Sequence, residues 1–247
     1  MARGGGSVAY TNVFRRYELK YLISLREKEK ILSTIEPYMR LDSYGRTTIR
    51  NLYFDTPDYR LIRRSIEKPA YKEKIRIRSY SRVESSDNVF VELKKKYEKV
   101  VYKRRVALPE MAAMCWMLGE MPCPINSQIT REIDYFASHY APLLPAVFLS
   151  YDREAYYLLS GGDFRVTFDD NILYRESDLS LCSDAYGKSI LPDDTVMMEI
   201  KCSGAIPLWL VKTLSRERIY RTSFSKYGTA YRDILTSNTP KEKHIYV

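Results

Sequence analysis

Residues 71–80 read YKEKIRIRSY, a stretch in which charged and apolar side chains alternate. Successive side chains of a β-strand point to opposite faces, so this stretch predicts a strand with one basic face and one largely apolar face. The basic face consists of Lys72, Lys74, Arg76 and Arg78. One solvated strand face would explain such a pattern. The interpretation therefore depends on the neighbouring strands.

The same alternation recurs in six further predicted strands, and a seventh β-rich stretch covers 48–54. The six strands are 16–23, 89–96, 100–108, 146–157, 164–174 and 195–201. Their charged faces carry Arg16, Glu18, Lys20, Glu92, Lys94, Lys103, Arg105, Tyr151, Arg153, Arg165, Thr167, Asp169, Glu199 and Lys201. Like charges side by side on a sheet face repel one another. The set therefore favours basic faces that converge inside a closed barrel.

Helical patterns lie between and after these strands. A capping box formed by Ser24 and Glu27 predicts a helix start, and Asp55 is expected to cap a short helix after Pro57. Further helices are predicted over 109–118, 126–140, 208–220 and 225–236. Short turns join most strands, which indicates an antiparallel α+β fold whose helices cover the apolar strand faces.

A barrel of about eight strands has room for side chains or one slim ligand. A lumen lined by Lys and Arg is costly unless anions occupy it. Arginine forks and mobile lysines are suited to phosphate oxygens. The acids Glu18, Glu92 and Glu199 are expected either to orient these bases or to hold a divalent cation.

Composition narrows the function classes. The 247 residues carry 40 basic and 31 acidic side chains, a net charge of +9 that favours nucleic acid, phospholipid headgroups, nucleotides or polyphosphate as partners. An evenly solvated basic surface is the alternative. Two histidines and four cysteines without a CxxC pair argue against a zinc site and favour free thiols. No secretion signal or membrane span is predicted, so we expect a cytoplasmic protein without a membrane span.

Nine short stretches, in this order, resemble the VTC-type polyphosphate polymerase domain of the triphosphate tunnel metalloenzyme superfamily. They are RYELKYLI (16–23), LYFDT (52–56), KIRIRSY (74–80), VELKKK (91–96), KRRV (103–106), SYDREAY (150–156), FRVTFDD (164–170), MEIK (198–201) and SFSKYGTAYRD (223–233). Hydrolytic and cyclase-type members open with an ExExK strand. Here Arg16 replaces the first Glu, which favours the polymerase branch.

The resemblance implies an α+β fold in which a closed eight-stranded antiparallel β-barrel forms a tunnel, with flanking and C-terminal helices. A single domain would cover residues 8–240 and follow a flexible N-terminus, 1–7. The implied activity is transfer of the γ-phosphate of ATP to a growing inorganic polyphosphate chain, with pyrophosphate as a further ligand. Mn²⁺ or Mg²⁺ would assist, held by Glu199.

The resemblance also implies the roles of individual residues. The implied catalytic residues are Arg76, Arg78, Lys94, Lys103, Arg153, Arg165 and Glu199. The implied substrate-binding residues are Lys20, Lys74, Tyr151, Lys201, Ser225 and Lys226. Ser225 and Lys226 would stand at the start of a helix, where backbone N–H groups add affinity for anions.

Three alternatives remain open. A tripolyphosphate or organic triphosphate hydrolase would need a water oriented by a carboxylate such as Glu18 or Glu92. A module that binds polyphosphate or an inositol phosphate without catalysis would keep the basic face. A nucleic-acid-binding barrel needs aromatic side chains beside the basic groove. Most tyrosines here alternate with the basic positions, so no nucleic acid is expected.

Overall fold

A computed structural model describes residues 17–98 and 100–238 and contains ten strands and six helices within these ranges. The strands are β1 (Tyr17–Ser24), β2 (Met39–Leu41), β3 (Thr47–Asp55), β4 (Tyr71–Ser79), β5 (Asn88–Tyr97), β6 (Val100–Pro109), β7 (Leu144–Leu158), β8 (Arg165–Arg175), β9 (Lys188–Ser189) and β10 (Thr195–Cys202). The helices are α1 (Leu25–Ile35), α2 (Arg60–Ile66), α3 (Glu110–Met117), α4 (Gln128–His139), α5 (Leu208–Arg216) and α6 (Lys226–Asn238). The predictions for Arg16 and for residues 1–7 lie outside the described residues.

The strands form one antiparallel sheet in the order β1-β10-β8-β7-β3-β4-β5-β6, with β2 paired to β7 and β9 paired to β8. The predicted closed eight-stranded barrel is therefore wrong, because the sheet has ten strands and no ladder joins β1 to β6. The free edge of β1 is occupied by the segment before α6 instead, since the N–H of Thr222 donates to the carbonyl of Lys20 at 2.8 Å. The sheet nevertheless curves until β1 and β5 touch, with Lys94 Nζ 3.3 Å from Glu18 Oε2.

The registers of the ladders place the charged strand faces side by side on the concave surface. One row runs from Lys20 to Glu199 and Thr167 across β1, β10 and β8. A second row pairs Lys74 with Lys94 and Lys103 across β4, β5 and β6. Directly opposed residues of antiparallel strands share a face. The sheet therefore gathers these charges onto one surface.

The outer face of the sheet is apolar and covered by helices, as predicted. Helices α3 and α4 pack on the outer side of β3 to β6 around Ile75 and Leu93. Helices α1 and α5 pack on β1, β8 and β10 around Val166 and Ile200. The capping box of Ser24 and Glu27 starts α1 as predicted.

Helix α6 occupies part of the concave side. Tyr227, Tyr231 and Ile234 pack there against Tyr53 of β3 and other inward-facing residues of the sheet. The ring of Tyr227 stacks on that of Tyr53 with 4.5 Å between centroids. This region of the concave surface is therefore a third apolar core. The charged surface begins beside it, at the N-terminal end of α6.

Candidate functional site

Four cations surround the carboxylate of Glu92 on β5. Arg76 donates to Glu92 Oε2 from Nε at 3.1 Å and from Nη2 at 2.8 Å, and Lys103 Nζ lies 2.7 Å from Oε1. Arg105 Nε lies 3.3 Å from Oε1, and Arg78 Nη1 lies 3.7 Å from Oε2. Burial acts to raise the pKa of Glu92, but Arg76, Arg78 and Lys103 outweigh it and hold the value at about 2. Glu92 is thus an ionised counter-charge that fixes the directions of these bases.

Tyrosine and asparagine side chains hold the two arginines from the other side. The Tyr53 hydroxyl accepts from Arg76 Nη1 at 2.8 Å. Arg78 donates from Nε to Asn51 Oδ1 at 2.9 Å and from Nη2 to the Tyr151 hydroxyl at 3.2 Å. Both guanidinium groups are largely buried. They are therefore pre-set in one orientation, as recognition of a phosphate through paired N–H groups requires.

A second buried carboxylate, Asp169 of β8, organises the next group of cations. Arg153 binds it with two hydrogen bonds of 2.6 and 2.7 Å, and Lys226 Nζ lies 2.5 Å from Oδ2. The same ammonium group lies 4.3 Å above the ring of Tyr151. Burial raises the pKa of Tyr151, but Arg153, Arg78 and Lys226 outweigh it and lower the value to about 7. This cluster therefore favours negative charge strongly enough to ionise a phenol near neutral pH.

Two lysines connect the sheet to the start of α6. Lys20 Nζ donates to the carbonyl of Phe224 at 2.8 Å, and Lys74 Nζ lies 3.1 Å from Ser225 Oγ. Burial, together with the positive charge of Lys20 and other bases, lowers the pKa of Lys74 to about 7. Ser225 Oγ also accepts the N–H of Gly228 at 3.2 Å. Ser225 is therefore a helix cap whose hydroxyl contacts Lys74, while Lys20 binds the carbonyl of the preceding residue.

Glu199 of β10 faces Lys20 and Thr167 on the neighbouring strands, and Lys201 Nζ lies 3.4 Å from its Oε2. Burial raises the pKa of Glu199, but Lys201 and Lys20 outweigh it and lower the value to about 2. The hydroxyl of Thr167 is buried and has no hydrogen-bond partner. The ionised carboxylate of Glu199 thus lies beside a hydroxyl of Thr167 that has no hydrogen-bond partner.

The remaining predicted residues lie further out on the concave surface. Lys94, Lys103 and Arg165 each expose a little under half of the side chain. Arg165 pairs with Asp42 at 3.0 Å, and its register partner on β10 is Lys201. The structure thus brings all thirteen predicted site residues onto one surface, with buried arginines at its centre and half-exposed bases around them.

The acidic side chains of the site differ in how far they are free to bind a divalent cation. Within 17–98 and 100–238, no three Asp, Glu, His or Cys side chains converge. Glu92 and Asp169 are taken up by arginines and lysines, whereas the closest ion pair of Glu199 is with Lys201 alone. Mg²⁺ commonly binds through one or two carboxylates and completes its shell with water and substrate phosphates. The residues therefore fit a cation shared between Glu199 and a bound phosphate chain.

Three residues of this surface had no assigned role in the sequence analysis. Asp169 was placed on the correct strand face but not in the site, because the face was judged by its bases. Asn51 and Tyr53 lie in the β-rich stretch 48–54, to which the sequence analysis assigned no site residue. The signal that could have identified Asn51 is its amide among apolar neighbours, since a buried amide needs a partner.

The curved antiparallel sheet is shared with two solved structures. A candidate adenylate cyclase of Bacillus halodurans superposes with a TM-score of 0.52 at 15% identity, covering 87% of this chain and 94% of its own. A candidate adenylyl cyclase of Hippeastrum, described as having a dominant triphosphatase activity, superposes with a TM-score of 0.51 at 15% identity, covering 87% and 95%. At this identity the likeness concerns the fold.

The sequence model of the VTC domain family matches residues 15–235. The chain therefore belongs to the VTC domain family. No curated protein matches the chain. Between residues 17 and 238, the longest helix has 13 residues, and none of the described helices is long and apolar enough to cross a bilayer.

Proposed function

We propose that the protein is a polyphosphate polymerase that transfers the γ-phosphate of ATP to the end of an inorganic polyphosphate chain on its concave surface. The observation that carries the proposal is the pair of buried carboxylates, Glu92 and Asp169, each surrounded by bases whose directions it fixes. Such a surface is prepared for a row of phosphates. A cytoplasmic location, where ATP is available, is part of the proposal.

Phosphoryl transfer requires positioning and neutralisation of charge more than covalent help from the protein. An oxygen of the terminal phosphate of the chain attacks the γ-phosphorus of ATP, the bond from that phosphorus to the β–γ bridging oxygen breaks, and ADP leaves. The chain grows by one phosphate. Arg76, Arg78 and Arg153 are rigidly held and would grip the non-bridging oxygens during this step. Lys94, Lys103 and Arg165 are a little under half exposed and would add positive charge along the chain.

The arrangement of the acids supports chain growth rather than hydrolysis. A terminal phosphate is already an anionic nucleophile, so the transfer needs no general base. Hydrolysis needs a carboxylate that orients water, and the sequence suggested Glu18 or Glu92 for that role. Glu92 is engaged by four cations, and its low pKa of about 2 makes it a weak base. Glu18 is exposed beside Lys94.

Glu199 is the residue that would hold a divalent cation, Mn²⁺ or Mg²⁺. Such an ion, when bound, supplies neutralisation of the charge that develops on the leaving diphosphate. The positive charges of Lys201 and Lys20 outweigh the effect of burial and lower the pKa of Glu199 to about 2, so its carboxylate is ionised at neutral pH. Lys201 Nζ, 3.4 Å from Glu199 Oε2, holds the carboxylate in place.

The test is incubation of the purified protein with ATP and Mn²⁺ or Mg²⁺, followed by gel electrophoresis and phosphorus NMR of the products. We expect a ladder of chains and release of ADP. Glu199→Ala and the double variant Arg76→Ala/Arg78→Ala are expected to lack both. A matched control, Arg26→Ala/Arg216→Ala, removes two arginines from the outer helices and should retain activity.

The other outcomes separate the alternatives. Release of orthophosphate without chain growth would establish a triphosphate hydrolase, and the triphosphatase activity described for the Hippeastrum protein makes this the second candidate. Polyphosphate binding without turnover would leave a binding module. Either result would overturn the polymerase.

A further inference from the structure

A group of lysines beyond the predicted site carries the inference. Lys72 on β4 is the register partner of Lys96 on β5, one step along the same face from the pair of Lys74 and Lys94. Lys72 Nζ donates to the carbonyl of Ser65 at 3.2 Å, which draws it towards the end of α2. Lys68 follows α2 and is exposed. We call Lys68, Lys72 and Lys96 the lysine rim.

The lysine rim differs from the centre of the site in its lack of carboxylate partners. At the centre, Glu92 and Asp169 each pair with at least two bases. Among the described residues, none of the three rim lysines forms an ion pair within 4.0 Å. The neighbouring charges that act most strongly on Lys72 all belong to lysines, namely Lys96, Lys20, Lys68 and Lys94. Burial and these four positive charges lower the pKa of Lys72. Like charges held together without counter-charges attract a polyanion.

The rim is continuous with the predicted site. The positive charges of Lys20 and Lys94 lower the pKa of both Lys72 and Lys74, so the rim and the predicted site share these neighbours. Lys74 contacts Ser225 at the start of α6, whereas Lys72 contacts the end of α2. A chain that leaves the concave surface past Lys74 therefore meets Lys72 and its register partner Lys96 next, and then the exposed Lys68.

We propose that the lysine rim is a docking surface for the part of an inorganic polyphosphate chain that extends beyond the catalytic phosphates. This inference rests on the proposed function and extends the binding site for the acceptor chain beyond the phosphates at the centre. A short ligand is held by the central arginines and does not reach the rim. A long chain occupies both regions, so its affinity exceeds that of tripolyphosphate.

The test is the binding of tripolyphosphate and of medium-chain inorganic polyphosphate, in the absence of ATP, at several salt concentrations. Wild-type protein should bind the longer chain more tightly. For Lys68→Ala/Lys96→Ala we expect a loss of about five- to tenfold in affinity for the long chain. The slope of log affinity against log salt should fall by about two, one for each removed charge. Tripolyphosphate binding should not change, which also shows that the variant is folded.

Two further variants sharpen the comparison. Lys72→Ala should weaken the binding of long chains in the same way. Arg26→Ala/Lys212→Ala removes equal charge from the outer helices and should bind both ligands as wild type does. Unchanged long-chain binding in the rim variants would overturn the inference, as would an equal loss for both ligands. An RNA oligonucleotide that binds the rim as tightly as polyphosphate, and is weakened by the same variants, would also overturn it.

Failure of this inference can be told apart from failure of the proposed function. Tripolyphosphate binding with no dependence on chain length would remove the docking surface and leave the polymerase proposal standing. Binding that depends on chain length, without turnover of ATP, would overturn the polymerase proposal and leave the docking surface standing. Wild-type protein that bound neither ligand would overturn both.

Discussion

Replacing Glu92 by Gln tests the central claim about the site, namely that a buried carboxylate holds four bases in place. Glu92 is 2% exposed, so its charge is shielded from water. Its pKa of about 2, against an ordinary value of 4.5, measures how much the fold favours the charged form. Each tenfold change in proton affinity corresponds to about 1.4 kcal/mol, so the fold favours the ionised carboxylate by about 3 kcal/mol. Glu92→Gln should therefore lower the free energy of unfolding at pH 7 by about 3 kcal/mol.

The pH dependence gives a second, independent check. A carboxyl whose pKa is lowered by folding stabilises the protein above its unfolded pKa, and that contribution disappears as the pH falls through the folded value. The difference between wild type and Glu92→Gln should therefore be full above pH 4.5 and should shrink between pH 4.5 and about 2. Urea unfolding at a series of pH values measures it.

Two comparisons complete the experiment. Glu18→Gln removes a partly exposed carboxylate with one lysine contact of 3.3 Å, and it should cost less than about 1 kcal/mol. Tripolyphosphate should stabilise Glu92→Gln more than wild type, because it supplies the missing negative charge. If Glu92→Gln unfolds within 1 kcal/mol of wild type, or differs from it equally at all pH values, Glu92 does not organise the bases.

Three further predictions concern other parts of the site. The pKa of Lys74 is lowered to about 7, and a bound polyanion should raise it again. Binding of tripolyphosphate at pH 8 should therefore take up protons and should weaken as the pH rises, and calorimetry in two buffers should show less proton uptake for Lys74→Met. Thr167→Val removes a buried hydroxyl without a partner, so urea unfolding should show equal or greater stability, whereas Thr167→Ala should destabilise the protein by about 1 kcal/mol or more. Asp169→Asn leaves Arg153 and Lys226 without their buried counter-charge and should destabilise the protein by about 3 kcal/mol or more in the same assay; an unchanged unfolding curve would contradict that role.

The strand faces could be predicted because alternation is a local property. In residues 71–80 every second side chain is basic, and the structure places all four of these bases on the concave side. The helices could be predicted for the same reason, since a capping box and a helical apolar pattern depend only on residues close together in the sequence. Strands β2 and β9 were missed because three and two residues are too few to show alternation.

The failure of the sheet to close into a barrel could not be predicted, because closure depends on which segment reaches the edge of β1. The sequence predicts strands and their faces, but the bridge between Lys20 and Thr222 joins residues far apart in the chain. The roles of Asn51 and Tyr53 were missed for a related reason. Their partners, Arg78 and Arg76, lie on the neighbouring strand, and only the register reveals the pairing.

The pairing of β1 with β10 also has a consequence for biosynthesis. Strand β1 leaves the ribosome well before its partner β10, which lies at residues 195–202. At roughly 5–20 residues per second, this interval is on the order of ten seconds or more. An unpaired strand can meanwhile pair with other chains, and charged side chains along it discourage such aggregation. Glu18 and Lys20 therefore protect the nascent protein before they take their places on its concave surface.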